Sequence, residues 1–357
     1  MGFKAITIKD IARALQLSPS TVSKALHNSR EISAETRNAV HAFAAQHNYK
    51  PNSIAQNLQK GRSKSIGVVV CHVDNNFFSQ VINGIESVAH NSDYHVIITQ
   101  THDSSERELL NIQHLASGSV DGLVVSLSPA TTNIGYLKEL HENGLPIVLF
   151  DRVTDEIDTH RVIADNYGGA FNATMHLAQQ GYRHIAHISS SLSLSNTAER
   201  LQGYKDALAK AGLTYDENLV KYCETGGMLP EEMIQQLNDL LGAPHMPDAI
   251  FMGSDRLSTL VLNQLRKMKI DIPGQIALVG FTNATSAEIF NPSLSTVVQP
   301  ALEMGKRATE LLIQLIEGKT AATRFEKHVL PTELITRASS GKPKLASIEP
   351  ELINVRG

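Results

Sequence analysis

Cysteine is scarce in this sequence, and long apolar runs are missing. The 357 residues include two cysteines, Cys71 and Cys223, which lie far apart and within apolar stretches. This usage favours buried thiols in a reducing compartment over a disulfide framework. No stretch approaches the ~18 uninterrupted apolar residues of a membrane span, and the N-terminal residues lack an apolar segment of the secretory type. These absences predict a cytoplasmic protein that is neither secreted nor inserted in a membrane.

Motifs of enzymes and metalloproteins are missing as well. The histidines include no His-Glu-x-x-His pair, and His184 and His187 are three apart in a predicted strand, which turns their side chains to opposite faces. Neither a Gly-x-Ser-x-Gly motif nor a Gly-x-x-x-x-Gly-Lys phosphate loop occurs. We therefore predict a protein without enzymatic activity, bound metal or cofactor.

The net charge of −4 is unevenly distributed along the chain. Residues 1 to 64 contain ten Lys or Arg against three Asp or Glu, which gives about +7 and leaves about −11 for the remainder. A small basic segment on an acidic body is typical of a part that binds a polyanion such as DNA. A solvated basic arm has the same composition, so charge alone leaves both interpretations open.

The first fifty residues show the pattern of three short helices. Thr7 is a predicted N-cap with Asp10 three residues on, and the apolar stripe after it marks the first helix. Ser18 caps a second helix that begins at Pro19, and a third is predicted from about Ser33 to Asn48. Two short helices joined by a tight turn and closed by a third predict an all-α helix-turn-helix unit.

The outer face of the second helix is polar. Its side chains can hydrogen-bond to bases or phosphates, and none of them is an apolar residue that demands burial. This face predicts contact with DNA and consists of Ser20, Thr21, Ser23, Lys24 and Asn28.

A short segment with helical propensity follows the three helices. Pro51 ends the third helix, and Ser53 to Gln59 predicts a further helix that Gly61 terminates. So short a helix is unstable alone because too few hydrogen bonds repay nucleation. In a dimer on DNA, two such segments could pair in the minor groove with Leu58 as an apolar wedge. A plain linker is the alternative.

From residue 65 the chain alternates short apolar runs with helical stretches, which is typical of βαβ units on parallel sheets. Two such series follow each other and predict an α/β core of two doubly wound lobes with a ligand cleft between them. The predicted strands are Ile66–Cys71, His95–Thr99, Leu123–Leu127, Ile147–Phe150, Ile185–Ile188, Val220–Cys223, Ala249–Met252 and Ile276–Gly280.

Ligands of such sheets bind at the carboxyl ends of the strands, where this sequence places aromatic, charged and hydroxyl side chains. This mixture suits a sugar, since an aromatic face stacks on a ring while Asp and Arg hold hydroxyls. Alternative roles are core packing for Phe77 and Phe78 and helix capping for Asp255. The candidates at strand ends are Phe77, Phe78, Ser128, Asp151, Arg152, Ser254, Asp255 and Thr282.

Motifs along most of the chain resemble those of the Lac repressor and purine repressor family. They begin with TIKDIARALQLSPSTVSKALHNSREISAETRNAVHAFAAQHNYKPNSIAQNLQKGRSKSIGVVV and continue with DGLVVS, PIVLFDR, RLQGY, IPGQIALVGF and PSLSTVVQP. The similarity covers residues 6 to 337 and is collinear. It implies an N-terminal DNA-binding headpiece, a hinge and a core like periplasmic binding proteins.

By this resemblance, Pro19, Ser20 and Lys24 stand where the family places base-contacting side chains. Lys24 departs from the arginine common there and lacks its bidentate fork, which leaves the operator sequence open. The predicted DNA contacts are Thr7, Ser18, Pro19, Ser20, Thr21, Ser23, Lys24, Asn28 and Tyr49, with Asn52, Gln56, Leu58 and Gln59 in the hinge.

The resemblance also assigns effector contacts to Phe78, Asp151, Arg200, Ser254 and Thr282. Arg200 has a structural ion pair as its alternative role, and Asn196 completes the set of predicted contacts. Ser254 replaces an asparagine, and Thr282 replaces an acidic residue. The missing carboxylate at position 282 suggests the hypothesis of an anionic effector.

The resulting domain prediction has four parts. They are a headpiece at 1–50, a hinge helix and linker at 51–64, a two-lobed core at 65–340 and a tail at 341–357. Lobe one is assigned 65–164 and 296–322, and lobe two 165–295 and 323–337.

The predicted function is that of a homodimeric transcription regulator, a repressor that binds a pseudopalindromic operator under control of a small-molecule effector, expected to be a carbohydrate. The alternative is a two-lobed binding protein without a DNA function, in which the first 64 residues would be replaced by a signal peptide. The tail has no heptad pattern, which favours a dimer over a larger assembly.

Overall fold

The computed structural model describes residues 6–47, 49, 62–318 and 324–341. Contacts divide the chain into one unit at Met1–Ser63 and a second at Lys64–Gly357. The predicted helix at 53–59 and the tail after residue 341 lie outside the described residues.

The described part of the N-terminal unit contains three helices, α1 (Ile8–Ala14), α2 (Pro19–Leu26) and α3 (Ala34–Gln46). Thr7 and Asp10 form the predicted capping box, and the Ser18 hydroxyl caps α2. A small apolar core joins the helices through Ile11, Ala12, Val22, Ala25, Val40 and Ala44. The predicted all-α helix-turn-helix unit is confirmed.

The first lobe of the core contains a six-stranded parallel sheet with the order β11-β5-β4-β3-β1-β2. Its strands are β1 (Ser65–Val70), β2 (His95–Gln100), β3 (Gly122–Val125), β4 (Ile147–Phe150), β5 (His160–Ala164) and β11 (Lys327–Leu330). Its helices are α4 (Asn76–Asn91), α5 (Ser105–Ala116), α6 (Gly135–Glu142) and α11 (Ala301–Glu317).

The second lobe contains a six-stranded sheet with the order β12-β10-β9-β8-β6-β7, in which only β12 runs antiparallel to its neighbour. Its strands are β6 (Ile185–Ser190), β7 (Val220–Cys223), β8 (Ala249–Met252), β9 (Ala277–Phe281), β10 (Ser295–Val298) and β12 (Glu333–Ile335). Its helices are α7 (Asn166–Gln179), α8 (Ser195–Lys210), α9 (Pro230–Leu241) and α10 (Asp255–Lys267). Two parallel-dominated α/β lobes confirm the predicted fold class.

Within the described residues, the chain crosses between the lobes three times, and the strand pairings correct the predicted lobe boundaries. Strand β10 pairs with β9 of lobe two, although its residues 296–298 were assigned to lobe one. Strand β11 pairs with β5 of lobe one, although it was assigned to lobe two. Both strands are only four residues long, and so short a segment carries too little periodicity to indicate its sheet.

Helices α4 and α11 pack at very short range in lobe one. A Cβ atom on Gly84 would lie 2.1 Å from the Leu302 carbonyl oxygen, and one on Gly305 would lie 2.1 Å from that of Val81. Glycine is therefore required at both positions for the helix backbones to approach. This packing fixes α4, whose first turn borders the cleft. None of the described helices has the length and apolarity needed to span a bilayer.

Candidate functional site

The predicted polar face of α2 is accessible to solvent in the N-terminal unit. Pro19, Ser20 and Lys24 are exposed, whereas Thr21 and Ser23 are half-buried. The Lys24 ammonium lies within ion-pair distance of the exposed Glu31 carboxylate. This ion pair lowers the pKa of Glu31 and was not predicted from the sequence. Glu31 therefore neutralises a cation of the predicted DNA surface.

Several of the other predicted DNA contacts also have local structural roles. The Ser18 hydroxyl accepts a 3.0 Å hydrogen bond from the Thr21 amide, and the Thr7 hydroxyl donates to Asp10 at 2.7 Å. Asn28, with φ of 55°, hydrogen-bonds to His41 at 3.2 Å. Tyr49 is half-buried against the apolar core of the unit. Asn52, Gln56, Leu58 and Gln59 lie outside the described residues.

A polar cleft lies between the two lobes of the core, at the carboxyl ends of their strands. Eight of the ten predicted effector residues line it. These are Phe77, Phe78, Asp151, Arg152, Asn196, Arg200, Ser254 and Asp255. The remaining wall is formed by residues outside the predicted set of effector contacts, namely Asn75, Ser190, Leu194, Thr197 and Gln299.

Two predicted residues do not reach the cleft. Ser128 is buried, and its backbone amide donates a 2.5 Å hydrogen bond to the carboxylate of Glu108. Thr282 is buried as well, and its hydroxyl donates to the carboxylate of Asp255. Thr282 directly follows β9, as predicted, whereas β3 ends at Val125 and Ser128 lies three residues beyond it. A neighbouring carboxylate binds each of the two residues.

The aromatic wall of the cleft begins at the N-terminus of α4. The Asn75 side chain caps this helix by accepting hydrogen bonds from the amides of Phe77 (2.9 Å) and Phe78 (3.3 Å). The two rings meet edge to face with centroids 5.3 Å apart, and Phe78 also packs on Phe150. Both rings belong to the lobe-one core, so the lining role and the packing role coexist.

Asp151 follows β4 in a left-handed backbone conformation with φ of 55°. Such a conformation costs about 1 to 3 kcal/mol in a non-glycine residue and is common at binding sites. Its carboxylate accepts a 3.2 Å hydrogen bond from Asn196 of lobe two. Burial raises the pKa of Asp151, against the opposing effect of nearby arginines. The side chain thus links the two walls of the cleft.

Arg200 is buried in lobe two among neutral acceptors. Its guanidinium donates to the carbonyl of Gly253 at 2.7 Å and to the side-chain oxygens of Asn166 and Gln299. It also stacks on Phe281 at 3.7 Å from the ring centroid. Burial lowers the pKa of Arg200 to about 10. Because neutral oxygens hold it, its charge is available to a ligand.

Arg152 is held from outside the cleft by Asp103, a residue that was not predicted. The guanidinium donates to Asp103 at 2.6 Å and contacts the Cys71 sulfur at 2.8 Å. Burial opposes ionisation of Asp103, but hydrogen bonds from His72 and Arg152 hold the pKa of that carboxyl well below its usual range. Asp103 follows β2, so only the strand order brings it to Arg152.

The lobe-two wall contains one hydroxyl with a free hydrogen-bonding capacity. Ser254 precedes α10, yet its side chain does not cap the helix, and its buried hydroxyl has no hydrogen-bond partner among the described residues. Next to it, Asp255 accepts hydrogen bonds from the Asn283 amide at 3.1 Å and from Asn76 at 3.4 Å. Ser254 and Asp255 therefore offer a hydroxyl and a carboxylate side by side.

Comparison with known proteins finds two matching families and a close relative. Residues 7–52 match "Bacterial regulatory proteins, lacI family", and residues 174–340 match "Periplasmic binding protein-like domain". The HTH-type transcriptional repressor PurR of Vibrio atlanticus (strain LGP32) is 31% identical over 338 residues, which cover 93% of this chain and 98% of that protein.

Solved structures agree with this comparison. A transcriptional regulator CelR–cellobiose complex is 28% identical with a TM-score of 0.69, covering 94% of this chain and 99% of that one. The Lac repressor dimer bound to operator and the anti-inducer ONPF is 22% identical with a TM-score of 0.79, covering 95% and 100%. The second structure supports the fold alone.

A helix-turn-helix unit combined with a two-lobed, cleft-bearing core defines a ligand-responsive transcription regulator. The chain belongs to the LacI family of bacterial regulatory proteins. The predicted function, a DNA-binding transcription regulator with an effector-binding core, is thereby confirmed.

Proposed function

We propose that the protein is a cytoplasmic, nucleoid-associated repressor that binds a pseudopalindromic operator as a homodimer and responds to a carbohydrate in its cleft. The observation that carries the proposal is the exposed polar face of α2 in a chain that also builds a polar cleft. A twofold protein matches a twofold operator, and two units give the contacts that one lacks.

The cleft supports a neutral, hydroxylated effector. Phe77 and Phe78 offer aromatic surface, while Asp151 and Asp255 offer carboxylate acceptors and Arg200 a donor. Carboxylates that accept hydroxyl hydrogen bonds beside an aromatic face are the usual means of binding sugars. The CelR structure, which contains cellobiose, is a solved relative with this architecture. The core has the features of a binding site, and we expect its ligand to leave chemically unchanged.

Ligand entry requires the lobes to move. The cleft encloses only about 50 Å³, which is room for a few water molecules. Hydrogen bonds cross it, including those from Asn196 to Asp151 (3.2 Å) and from Ser193 to the Pro129 carbonyl (3.1 Å). Opening breaks these bonds, and a ligand that contacts both walls replaces them. The three crossovers between lobes act as the hinge.

Linkage connects this motion to DNA. An effector that binds one arrangement of the lobes more tightly shifts the dimer towards it and thereby changes operator affinity. Coupling of this kind is typically about 1 to 3 kcal/mol, or about 5- to 150-fold in affinity. Induction and corepression differ only in which arrangement the effector prefers.

The test starts from DNA selected out of a genomic library by the full-length protein. Fluorescence anisotropy then measures operator affinity for wild type, for Ser20→Ala/Lys24→Ala and for the control Lys210→Ala, an exposed cation of lobe two. We expect the double variant to lose specific binding and the control to keep it. Salt-insensitive binding, or equal losses in both variants, contradicts the proposal.

A thermal-shift screen of monosaccharides, disaccharides and sugar acids identifies the effector, since a ligand at 100 times its Kd stabilises by about 2.7 kcal/mol. Arg200→Met should bind the operator without responding to the identified sugar. Recovery of the sugar from the complex, unchanged by chromatography, tests the absence of catalysis.

A further inference from the structure

Two histidines lie side by side at the edge of lobe one, outside the lining of the cleft. His72 follows β1 and His102 follows β2, and these strands are parallel neighbours. Their Nδ1 atoms are 3.3 Å apart, and the ring centroids are 5.1 Å apart at an angle of 64°. His72 is buried, whereas His102 is exposed. Solvent therefore reaches the pair from the His102 side.

The other nitrogen of His72 faces a carboxylate. Its Nε2 atom lies 3.3 Å from Asp103 Oδ2, and the second oxygen of Asp103 accepts the hydrogen bond from Arg152. A carboxylate behind the outer nitrogen of an imidazole fixes the N–H there and leaves the inner nitrogen with its lone pair. This is the arrangement that commonly supports metal-binding histidines.

The turn that presents these groups is strained. His102 and Asp103 are consecutive non-glycine residues with φ of 50° and 61°. This left-handed conformation is uncommon in non-glycine residues, and such residues concentrate at binding sites. In this turn His102 contacts His72, and Asp103 contacts both His72 and Arg152.

We propose that His72 and His102 bind a borderline divalent cation of the Zn²⁺ class through their Nδ1 atoms, with Asp103 supporting His72 from behind. In a tetrahedral site with metal–nitrogen distances of about 2.0 to 2.1 Å, two nitrogen ligands lie about 3.3 Å apart. That is the observed separation. The described residues contain no cluster of three His, Cys, Asp or Glu side chains placed as a complete ligand set. Water therefore completes the coordination, and the site is reversible.

The position of the site links it to the effector cleft, a consequence that rests on the proposed function. Asp103 touches both His72 and Arg152, and Arg152 lines the cleft. A cation bound to His72 therefore interacts, through His72, with the same Asp103 carboxylate that binds Arg152. Occupancy should therefore alter the affinity for the effector, while the metal site itself exists whether or not the protein binds DNA.

The test uses the full-length, tag-free, metal-stripped protein and Zn²⁺ alone, titrated by calorimetry at pH 7.5. We expect one site in wild type that His72→Gln and His102→Gln each abolish. Asp103→Asn should weaken it about 10- to 100-fold. The matched control is His184→Gln, which disrupts the stacked pair of His184 and His245 in lobe two and should leave the site intact.

His102 is exposed, so His102→Gln should fold normally, and circular dichroism checks this. As a second readout, Zn²⁺ should shift the imidazole ¹⁵N resonances that His72→Gln and His102→Gln remove. Zn²⁺ binding that persists in both variants, disappears only in His184→Gln, or is absent from wild type at millimolar Zn²⁺ overturns the proposal. None of these measurements involves DNA or a sugar, so failure of the metal-site proposal can be distinguished from failure of the proposed function.

Discussion

The hydroxyl of Thr282 donates a hydrogen bond to the carboxylate of Asp255. The family resemblance led us to expect a carboxylate at position 282, and its replacement by threonine suggested an anionic effector. The structure does not support that reason, because Asp255 lines the cleft and Thr282 lies behind it as a donor. The lobe-two wall therefore keeps a negative charge.

This arrangement predicts different effects for the two residues. Asp255→Asn removes a charged acceptor and should weaken binding of the sugar found in the thermal-shift screen by about 10- to 100-fold, since hydrogen bonds to charged groups contribute about 1.5 to 3 kcal/mol. Thr282→Val removes only a supporting bond, because the Asn283 amide and Asn76 still hold Asp255, and should cost about fivefold. Calorimetry measures both. Equal losses would show that the cleft depends on the pair and not on Asp255 alone.

Exposed apolar side chains predict where two copies of the chain meet. Ile97 and Ile98 on β2 are 37% and 41% exposed, and Leu229 in lobe two is 56% exposed. Arg256 contacts Met228 and also pairs with Asp74 of lobe one at 3.4 Å, so the apolar residues next to Leu229 lie close to lobe one. Clustered exposed apolar residues mark interfaces.

Ile98→Asp should therefore raise the dimer dissociation constant by at least tenfold, because a charge is buried without a partner at the interface. Analytical ultracentrifugation measures this. The matched control is Val329→Asp, which places the same charge on β11, the opposite edge of the same sheet, at 53% exposure. Dissociation by the control, or a dimer unaffected by Ile98→Asp, would place the interface elsewhere.

The sequence was sufficient for the elements whose signal is local. Caps at Thr7 and Ser18 located the first two helices, and the runs Ile147–Phe150 and Ala249–Met252 have the same bounds as the strands that they form. The edge strand β11, with its exposed alternate residues, carries no comparable pattern. Strand β11 pairs with β5 before the chain crosses to lobe two for the last time. Which sheet it joins depends on tertiary contacts that the local sequence does not show.

The cleft was predictable to the same extent. The carboxyl ends of strands indicated most of the lining, because parallel strands bring those ends together. Gln299 and Asp103 were missed because each contacts an arginine that lies far away in sequence. The hydrogen bond from the Ser128 amide to Glu108 on α5 was missed as well, because no local sequence pattern indicates it.

Burial of His187 predicts acid sensitivity of the second lobe. The ring stacks on Tyr204 and Phe251, and burial lowers the pKa of His187 to about 4. In the unfolded chain a histidine takes up its proton near pH 6.5, whereas the folded chain resists protonation until about pH 4. The unfolded state thus binds more protons in this window. Stability is present above pH 6.5 and is lost as pH falls towards 4.

The loss attributable to His187 should be on the order of 3 kcal/mol at pH 4. His187→Gln removes the titrating group, so its free energy of unfolding, measured by urea denaturation from pH 7.5 to 4, should fall less steeply by about one proton. The control is His114→Gln, an exposed histidine on α5, which should keep the wild-type slope. An unchanged slope in His187→Gln would assign the acid sensitivity to other groups.

The ion pair between Lys24 and Glu31 predicts that operator affinity is lower than it would be if Lys24 were unpaired. Both residues are exposed, so Glu31 competes with DNA for Lys24, and removal of the Glu31 charge frees the cation. Glu31→Gln should tighten operator binding by about two- to fivefold at 0.1 M salt, with the gain shrinking as salt rises. Fluorescence anisotropy over a salt series measures this.

Two further variants separate pairing from net charge. Lys24→Ala should weaken operator binding and reduce the slope of log affinity against log salt, because a cation that contacts DNA is lost. Glu35→Gln changes the net charge of the unit equally, but Glu35 lies in the first turn of α3 and not against Lys24. A gain in Glu35→Gln as large as that in Glu31→Gln would mean that general charge, and not release of Lys24, controls affinity. A gain confined to Glu31→Gln, absent in the double variant Lys24→Ala/Glu31→Gln, assigns a DNA contact to Lys24.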